Sequence, residues 1–149
     1  MKHNVLITST LFGLLFAPFA HAQLNVPLQG KIPFEFNVGK STLPAGEYLV
    51  RTEIYAPDVL HIQNVNTGAA ILLLASPTAR SNSKQKPELL FNRYGRTYFL
   101  SEVSQGLGEN RGIRLNPSKT ERLKAHQMAA APMPHDAEIA SVTFHPYGK

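Results

Sequence analysis

Histidines, carboxylates and serines are the side chains of this 149-residue sequence that could do chemistry, and their spacing decides whether they do. Zinc needs several ligands brought to one face, as in H-E-x-x-H on a helix. The sequence has no H-E-x-x-H and no H-x-H: His61 stands alone in an apolar stretch, and His126, His135 and His145 lie far apart towards the C-terminus. A lone histidine in an apolar strand is expected to be packed and hydrogen-bonded. A serine nucleophile needs a base and an orienting acid. There is no G-x-S-x-G elbow, and the S-x-x-K tetrad Ser81-Asn82-Ser83-Lys84 lacks its S-D-N and K-T-G partners. Glu35, Glu47, Glu53 and Glu102 cannot be sorted into the paired carboxylates of glycoside cleavage and read as solvated strand residues. The glycines between Gly106 and Gly112 resemble a phosphate cradle without a P-loop lysine or dinucleotide spacing. With no cysteine, thiolate chemistry, disulfides and thiolate metal sites are excluded. The reading therefore predicts no catalytic, cofactor-binding or metal-binding residue.

Recognition is the chemistry that remains. The densest polar-aromatic cluster runs from Asn92 to Tyr98 around a tight turn. Arginine and tyrosine combine stacking area with hydrogen-bond donors, which is what interfaces favour. Arg93, Tyr94, Arg96 and Tyr98 are the candidate partner contacts, with Arg80, Lys84 and Lys86 of the preceding basic loop adding attraction for an anionic polymer. The aromatic series Phe34, Phe36, Tyr48, Phe91 and Phe99 reads as a core stripe, with the lining of a lipid cavity as its alternative.

The elements that position these residues are mainly strands. Ile32, Phe34, Phe36 and Val38 alternate with Pro33, Glu35, Asn37 and Gly39, a period of two. Pro33 confines that strand to an edge or to the residues after it. Leu43-Pro44-Ala45-Gly46 turns the chain into a strand over 47–53, and Asn66-Thr67-Gly68 makes a hairpin between strands over 59–65 and 69–75. The continuous apolar run Ala69 to Ala75 suggests a central strand covered on both faces. Tyr94-Gly95 joins a strand over 88–93 to one over 97–104. One helix is expected over 117–131, capped by Asn116 with Pro117 first inside, or by Ser118 with Glu121 as a capping box. Its apolar stripe is poor, so it should lie on the surface. Residues 132–149 are expected to form a tail that is disordered or holds one last strand, over 139–144.

The N-terminus sets the compartment. Lys2 and His3 precede a mostly apolar stretch from Val5 to Phe19, and Ala20-His21-Ala22 is an A-x-A cleavage site. Residues 1–22 read as a signal peptide cut before Gln23, because the apolar stretch is short of the ~20 residues that span a bilayer. The chain of 149 would keep 127 residues and, having lost Lys2, a charge of +4 in place of +5. An exported chain without cysteine points to a bacterial periplasmic or secreted protein without stable membrane insertion. Nucleic acid is not expected as a partner there, and no run of like charges invites it.

Two signatures stand together: Ile32-Pro33-Phe34-Glu35-Phe36-Asn37-Val38-Gly39 leading to Leu43-Pro44-Ala45-Gly46-Glu47-Tyr48, and Leu90-Phe91-Asn92-Arg93-Tyr94-Gly95 leading to Tyr98-Phe99-Leu100. Over about residues 32–122 the chain resembles a group of small uncharacterised exported bacterial β-proteins. The resemblance implies an all-β exported domain and carries over no activity, ligand or catalytic residue. The expected fold is an antiparallel β-sandwich of seven or eight strands, or else a small β-barrel, with one C-terminal surface helix. The expected function is a non-catalytic envelope protein recognising a protein or an anionic polysaccharide through its surface. A barrel for a small apolar ligand comes second, and a hydrolase acting on envelope polymers last.

Overall fold

The computed structural model describes residues 26–53, 56–78, 86–106, 112–131 and 136–148. Residues 1–22, the S-x-x-K tetrad and most of the 106–112 loop lie outside them. The described residues form two sheets and one helix. In the first sheet β12 (His145–Pro146), β1 (Leu28–Ile32), β4 (Gly46–Glu53), β5 (Ala56–Asn64) and β6 (Ala70–Leu74) lie in that spatial order, all antiparallel. In the second, the order is β11 (Glu138–Thr143), β8 (Pro87–Tyr94), β9 (Thr97–Gln105), β10 (Gly112–Arg114) and β7 (Ser76–Thr78). β2 (Phe36–Val38) joins β9 in parallel at Asn37 and Phe99, and β3 (Ser41–Leu43) pairs with β2. The fold is thus all-β with a single helix, and its strands outnumber those expected because several are only two or three residues long.

Period-two alternation fills the core. Leu28, Ile32, Tyr48, Val50, Leu60 and Ile62 point inward from the first sheet and meet Phe36, Val38, Leu89, Phe91, Leu100 and Val103 from the second. Phe36 sets its edge against Tyr48 at 5.3 Å and against Phe91 at 5.5 Å, and Phe34 stacks on Tyr98 at 3.9 Å. Contacts of this kind contribute roughly 0.5–1.5 kcal/mol each beyond area burial. The Leu-Pro-Ala-Gly-Glu-Tyr segment is a latch: the buried Tyr48 hydroxyl donates to the Pro44 carbonyl at 2.7 Å and fixes the turn between β3 and β4. It resembles a tyrosine corner.

Single buried residues stitch the sheets at both margins. β6 passes through Ala75 into β7, and β11 passes through Phe144 into β12. The Ala75 amide donates to the Asp58 carbonyl at 2.8 Å and the Phe144 amide to the Pro87 carbonyl at 2.9 Å, so neither corner breaks its hydrogen bonding. Strands that switch sheets at a bend place this sandwich close to a barrel. The segment expected to give at most one strand therefore supplies two, one to each sheet. Pro33 explains why Ile32 and Phe36 belong to different strands: without an amide donor it ends β1, and the chain crosses to the second sheet before β2 begins.

The run Ala69 to Ala75 corrects its expectation. Among the described residues β6 is the last strand of its sheet, not a central one, and Leu72 and Leu74 are exposed. A continuous apolar run reports how hydrophobic a strand is and not whether a further strand covers it.

Candidate recognition surface

The β8–β9 hairpin, where the sequence places Arg93, Tyr94, Arg96 and Tyr98, turns through Gly95 at φ 64°. A two-residue hairpin loop needs that left-handed conformation, which glycine adopts freely. Alternation then splits the cluster. Arg93 and Tyr98 are cross-strand partners on the inward side, at the rim of the core. Arg93 donates to the Gly95 carbonyl and to Glu138, and its guanidinium lies 5.7 Å from the Tyr98 ring. Tyr94 points to the outer side, against Phe99 at 5.8 Å. Burial and the nearby Glu121 carboxylate raise its pKa above the ordinary tyrosine value. Arg96 is exposed on the turn. The four candidates do not share one face. Of the basic loop, Lys86 is described and exposed, while Arg80 and Lys84 lie outside the described residues.

Sequence reasoning missed a polar cleft on the outer face of the second sheet. Its volume is about 240 Å³, and it is lined by Leu90, Asn92, Ser101, Glu102, Arg114 and the segment before the helix. Glu102 is 2% exposed, which corrects its reading as a solvated strand residue. A β-bulge is the reason: Leu90 pairs with Glu102 and Phe91 with Leu100, leaving Ser101 over. The extra residue resets the alternation, so Leu100 and Val103 face the core and Glu102 faces the cleft. Arg114 pairs with Glu102 at 3.2 Å. Helix α1 (Lys119–Ala129) closes one side of this face. Its cap is Ser118, whose Oγ accepts from the Glu121 amide at 3.1 Å. Glu121 is buried and accepts from Asn92 Nδ2 at 2.8 Å, whereas Leu123 is 54% exposed. The residue of the helix that is buried is this carboxylate, with Ala125 and Met128 half-buried on the same face. Of the polar groups lining the cleft, Arg114 pairs with Glu102, Ser101 donates to the Leu90 carbonyl, and Asn92 reaches out to Glu121 of the helix, so the cleft borders the joint that docks the helix.

The outer face of the first sheet has a different character. Cross-strand register sets Leu72 beside His61 and Arg51, and Leu74 beside Val59. His61 is packed and hydrogen-bonded as expected: its Nδ1 accepts from Arg51 Nε at 2.9 Å, with Glu53 3.9 Å away. Among the described residues, no three His, Asp or Glu side chains converge on a metal position. Beyond His61 the face turns apolar. Leu72 is 65% exposed and Leu74 73%, while Ile71 and Leu73, on the inward side of the same strand, are only half-buried. Among the described residues no strand pairs with the far edge of β6.

Proteins blunt such edges with charge, proline or brevity. β7 carries Pro77, β12 is two residues with Pro146, β3 is three residues, and β11 begins with Glu138. β6, with the sequence Ala-Ile-Leu-Leu-Leu, has none of these devices. Its hairpin is firmly set: Asn64 Oδ1 accepts from the amides of Asn66 and Thr67 at 3.0 Å each, and Gly68 sits at φ 71°. Comparison of the chain with protein-family models, with curated proteins and with solved structures finds no match.

Proposed function

We propose that this chain is a non-catalytic binding module of the bacterial envelope that recognises a protein partner through β6. The observation that carries the reading is the exposure of Leu72 and Leu74 on an uncharged, proline-free edge strand. Exposed apolar surface beside an open strand edge is the usual mark of a protein contact. The export address rests on the sequence of residues 1–22. Two buried carboxylates support the same reading, because Glu102 in the cleft is paired with Arg114 and Glu121 on the helix accepts from Asn92. The inward aromatic rings, which an apolar-ligand barrel would use as lining, pack edge to face against one another.

The test is photo-crosslinking in producing cells. A benzophenone amino acid is installed in place of Leu72 or, as a control on the helix, in place of Leu123. The reading predicts a protein-linked product from position 72 and none from position 123. No product at 72, or the same products from both positions, would overturn it.

A further inference from the structure

We propose that Arg51, Glu53 and His61 form a proton-operated switch on the outer face of the first sheet, in which His61 exchanges Arg51 for Glu53 as its hydrogen-bond partner when it takes up a proton. The inference is independent of what β6 binds. It starts from the direction of one hydrogen bond: Arg51 Nε donates to His61 Nδ1 at 2.9 Å. An arginine guanidinium is always charged and only ever donates, so Nδ1 must present a lone pair. That fixes the ring as the neutral tautomer with its proton on Nε2. Register builds the arrangement. Arg51 and His61 are directly opposed across β4 and β5, and the register then shifts between Thr52 and Glu53. Glu53 Oε1 lies 3.9 Å from the same Nδ1 and 3.9 Å from Arg51 Nη2. One nitrogen is thus met by a donor in contact and faced by an acceptor about 1 Å beyond hydrogen-bonding distance. Among the described residues these are the charged groups that face the ring. β6 sets Leu72 against it, and Val59 and Gln63 flank it on β5. Asp58 belongs to the other set of the alternation, with the inward Leu60 and Ile62.

Protonation reverses the chemistry at Nδ1. A proton from water is taken up by the Nδ1 lone pair, and no other bond forms or breaks. Two cationic donors cannot point at each other at 2.9 Å, so Arg51 must leave. The new Nδ1–H finds its acceptor in Glu53. Closing from 3.9 Å to the roughly 2.8 Å of a charge-assisted bond takes about 1 Å of side-chain movement. The His61 side chain is 13% exposed and is held by its strand, whereas those of Arg51 and Glu53 are 44% and 41% exposed and can move without disturbing the core. Arg51 and Glu53 cancel while the ring is neutral, so uptake of the proton adds one positive charge to the sheet face beside Leu72 and releases the guanidinium to water. Histidine makes this change between about pH 8 and pH 5.

The test is nitrogen NMR of the imidazole and guanidinium groups across that pH range, with His61→Gln assigning the His61 signals among the 6 histidines. At the alkaline end His61 should show a bare Nδ1 and a protonated Nε2, and the Arg51 Nε–H should be protected from exchange with water. At the acid end both ring nitrogens should carry protons, and the Arg51 Nε–H should exchange as a free arginine does. The two changes should share one midpoint. Glu53→Gln removes the carboxylate that receives the imidazolium and should lower that midpoint by about half a pH unit. Arg51→Met removes the donor and the neighbouring cation and should raise it by about as much. A proton on Nδ1 at the alkaline end, an Arg51 Nε–H that ignores the titration of His61, or midpoints that coincide in the two variants would overturn the proposal.

Discussion

Replacing Gly30 by alanine should destabilise the protein by about 2 kcal/mol, through one side chain. A Cβ built on Gly30 would meet three atoms of the Phe144 ring, Cδ2 at 2.7 Å, Cγ at 2.8 Å and Cε2 at 3.0 Å. Ordinary carbon contacts lie at about 3.5–4.0 Å, so the ring must retreat by roughly 0.5–1 Å. It has little room to do so. Phe144 is 1% exposed and forms the corner at which the chain leaves β11 for β12, its amide held by the Pro87 carbonyl. Overpacking of this kind costs about 1–3 kcal/mol, offset by the roughly 0.5 kcal/mol that alanine gains over glycine inside a strand. The chain has no tryptophan, so far-UV circular dichroism in urea is the suitable readout. The cause is isolated by a double-mutant cycle. Phe144→Ala alone should cost about 3–5 kcal/mol, and in that background Gly30→Ala should cost nothing further. If Phe144→Ala does not fold, Phe144→Leu gives the same cycle with a smaller coupling. A Gly30→Ala protein within about 0.3 kcal/mol of wild type, or an equal penalty in both backgrounds, would refute the account of this corner.

Asn64→Ala removes the acceptor for two turn amides and should cost about 1–2 kcal/mol in urea unfolding; an unchanged midpoint would show that the β5–β6 turn holds without it. Glu121→Ala strips Asn92 of its partner and frees the helix, so amides of 119–129 should exchange with solvent faster while core strands keep their protection. The raised pKa of Tyr94 means that the folded state holds the phenolic proton more tightly than the unfolded chain. That contribution to stability is complete below the ordinary tyrosine value and is lost as pH rises through the folded value. Tyr94→Phe should therefore lose less stability than wild type above about pH 10, and Glu121→Gln should lower the tyrosine titration seen by absorbance. Arg93→Ala with Arg96→Ala should cost about 1 kcal/mol or less, because the Arg93–Glu138 pair is 42% and 71% exposed; unfolding at room temperature would contradict that.

The parts of the fold that were legible share one property: their signal is local. Alternation at Phe34, Phe36 and Val38, and at Tyr48 and Val50, reports the inward face because a strand has period two. Asn66-Thr67-Gly68 and Tyr94-Gly95 report hairpins because few residues tolerate positive φ. Ser118 and Glu121 report a helix start because their backbone and side-chain groups complement each other three residues apart. What was not legible depends on distant partners. Nothing within Ala69 to Ala75 says that the sheet ends there, and nothing near Phe144 says that its ring lies over Gly30, 114 positions earlier in the sequence.

The candidate site shows the same division at finer grain. Arg93, Tyr94, Arg96 and Tyr98 drew attention through residue type, but alternation sends Arg93 and Tyr98 to one side of the sheet and Tyr94 to the other, so proximity in sequence did not make a patch. Glu102 was legible neither as buried nor as paired. Counting by twos from Tyr98 and Leu100 would have put its carboxylate in the core, and only the unpaired Ser101 turns it outward beneath the helix. The one sequence hint was the conflict itself: a charged residue where the alternation demanded an apolar one, followed at once by Val103. Such a conflict marks either a solvated face or a bulge, and burial decides for the bulge. β6 carries the opposite conflict, leucines where a solvent face demands polar residues, and among the described residues no bulge or covering strand resolves it. That unresolved conflict is what motivates the proposal that recognition uses the edge of β6 and not the hairpin.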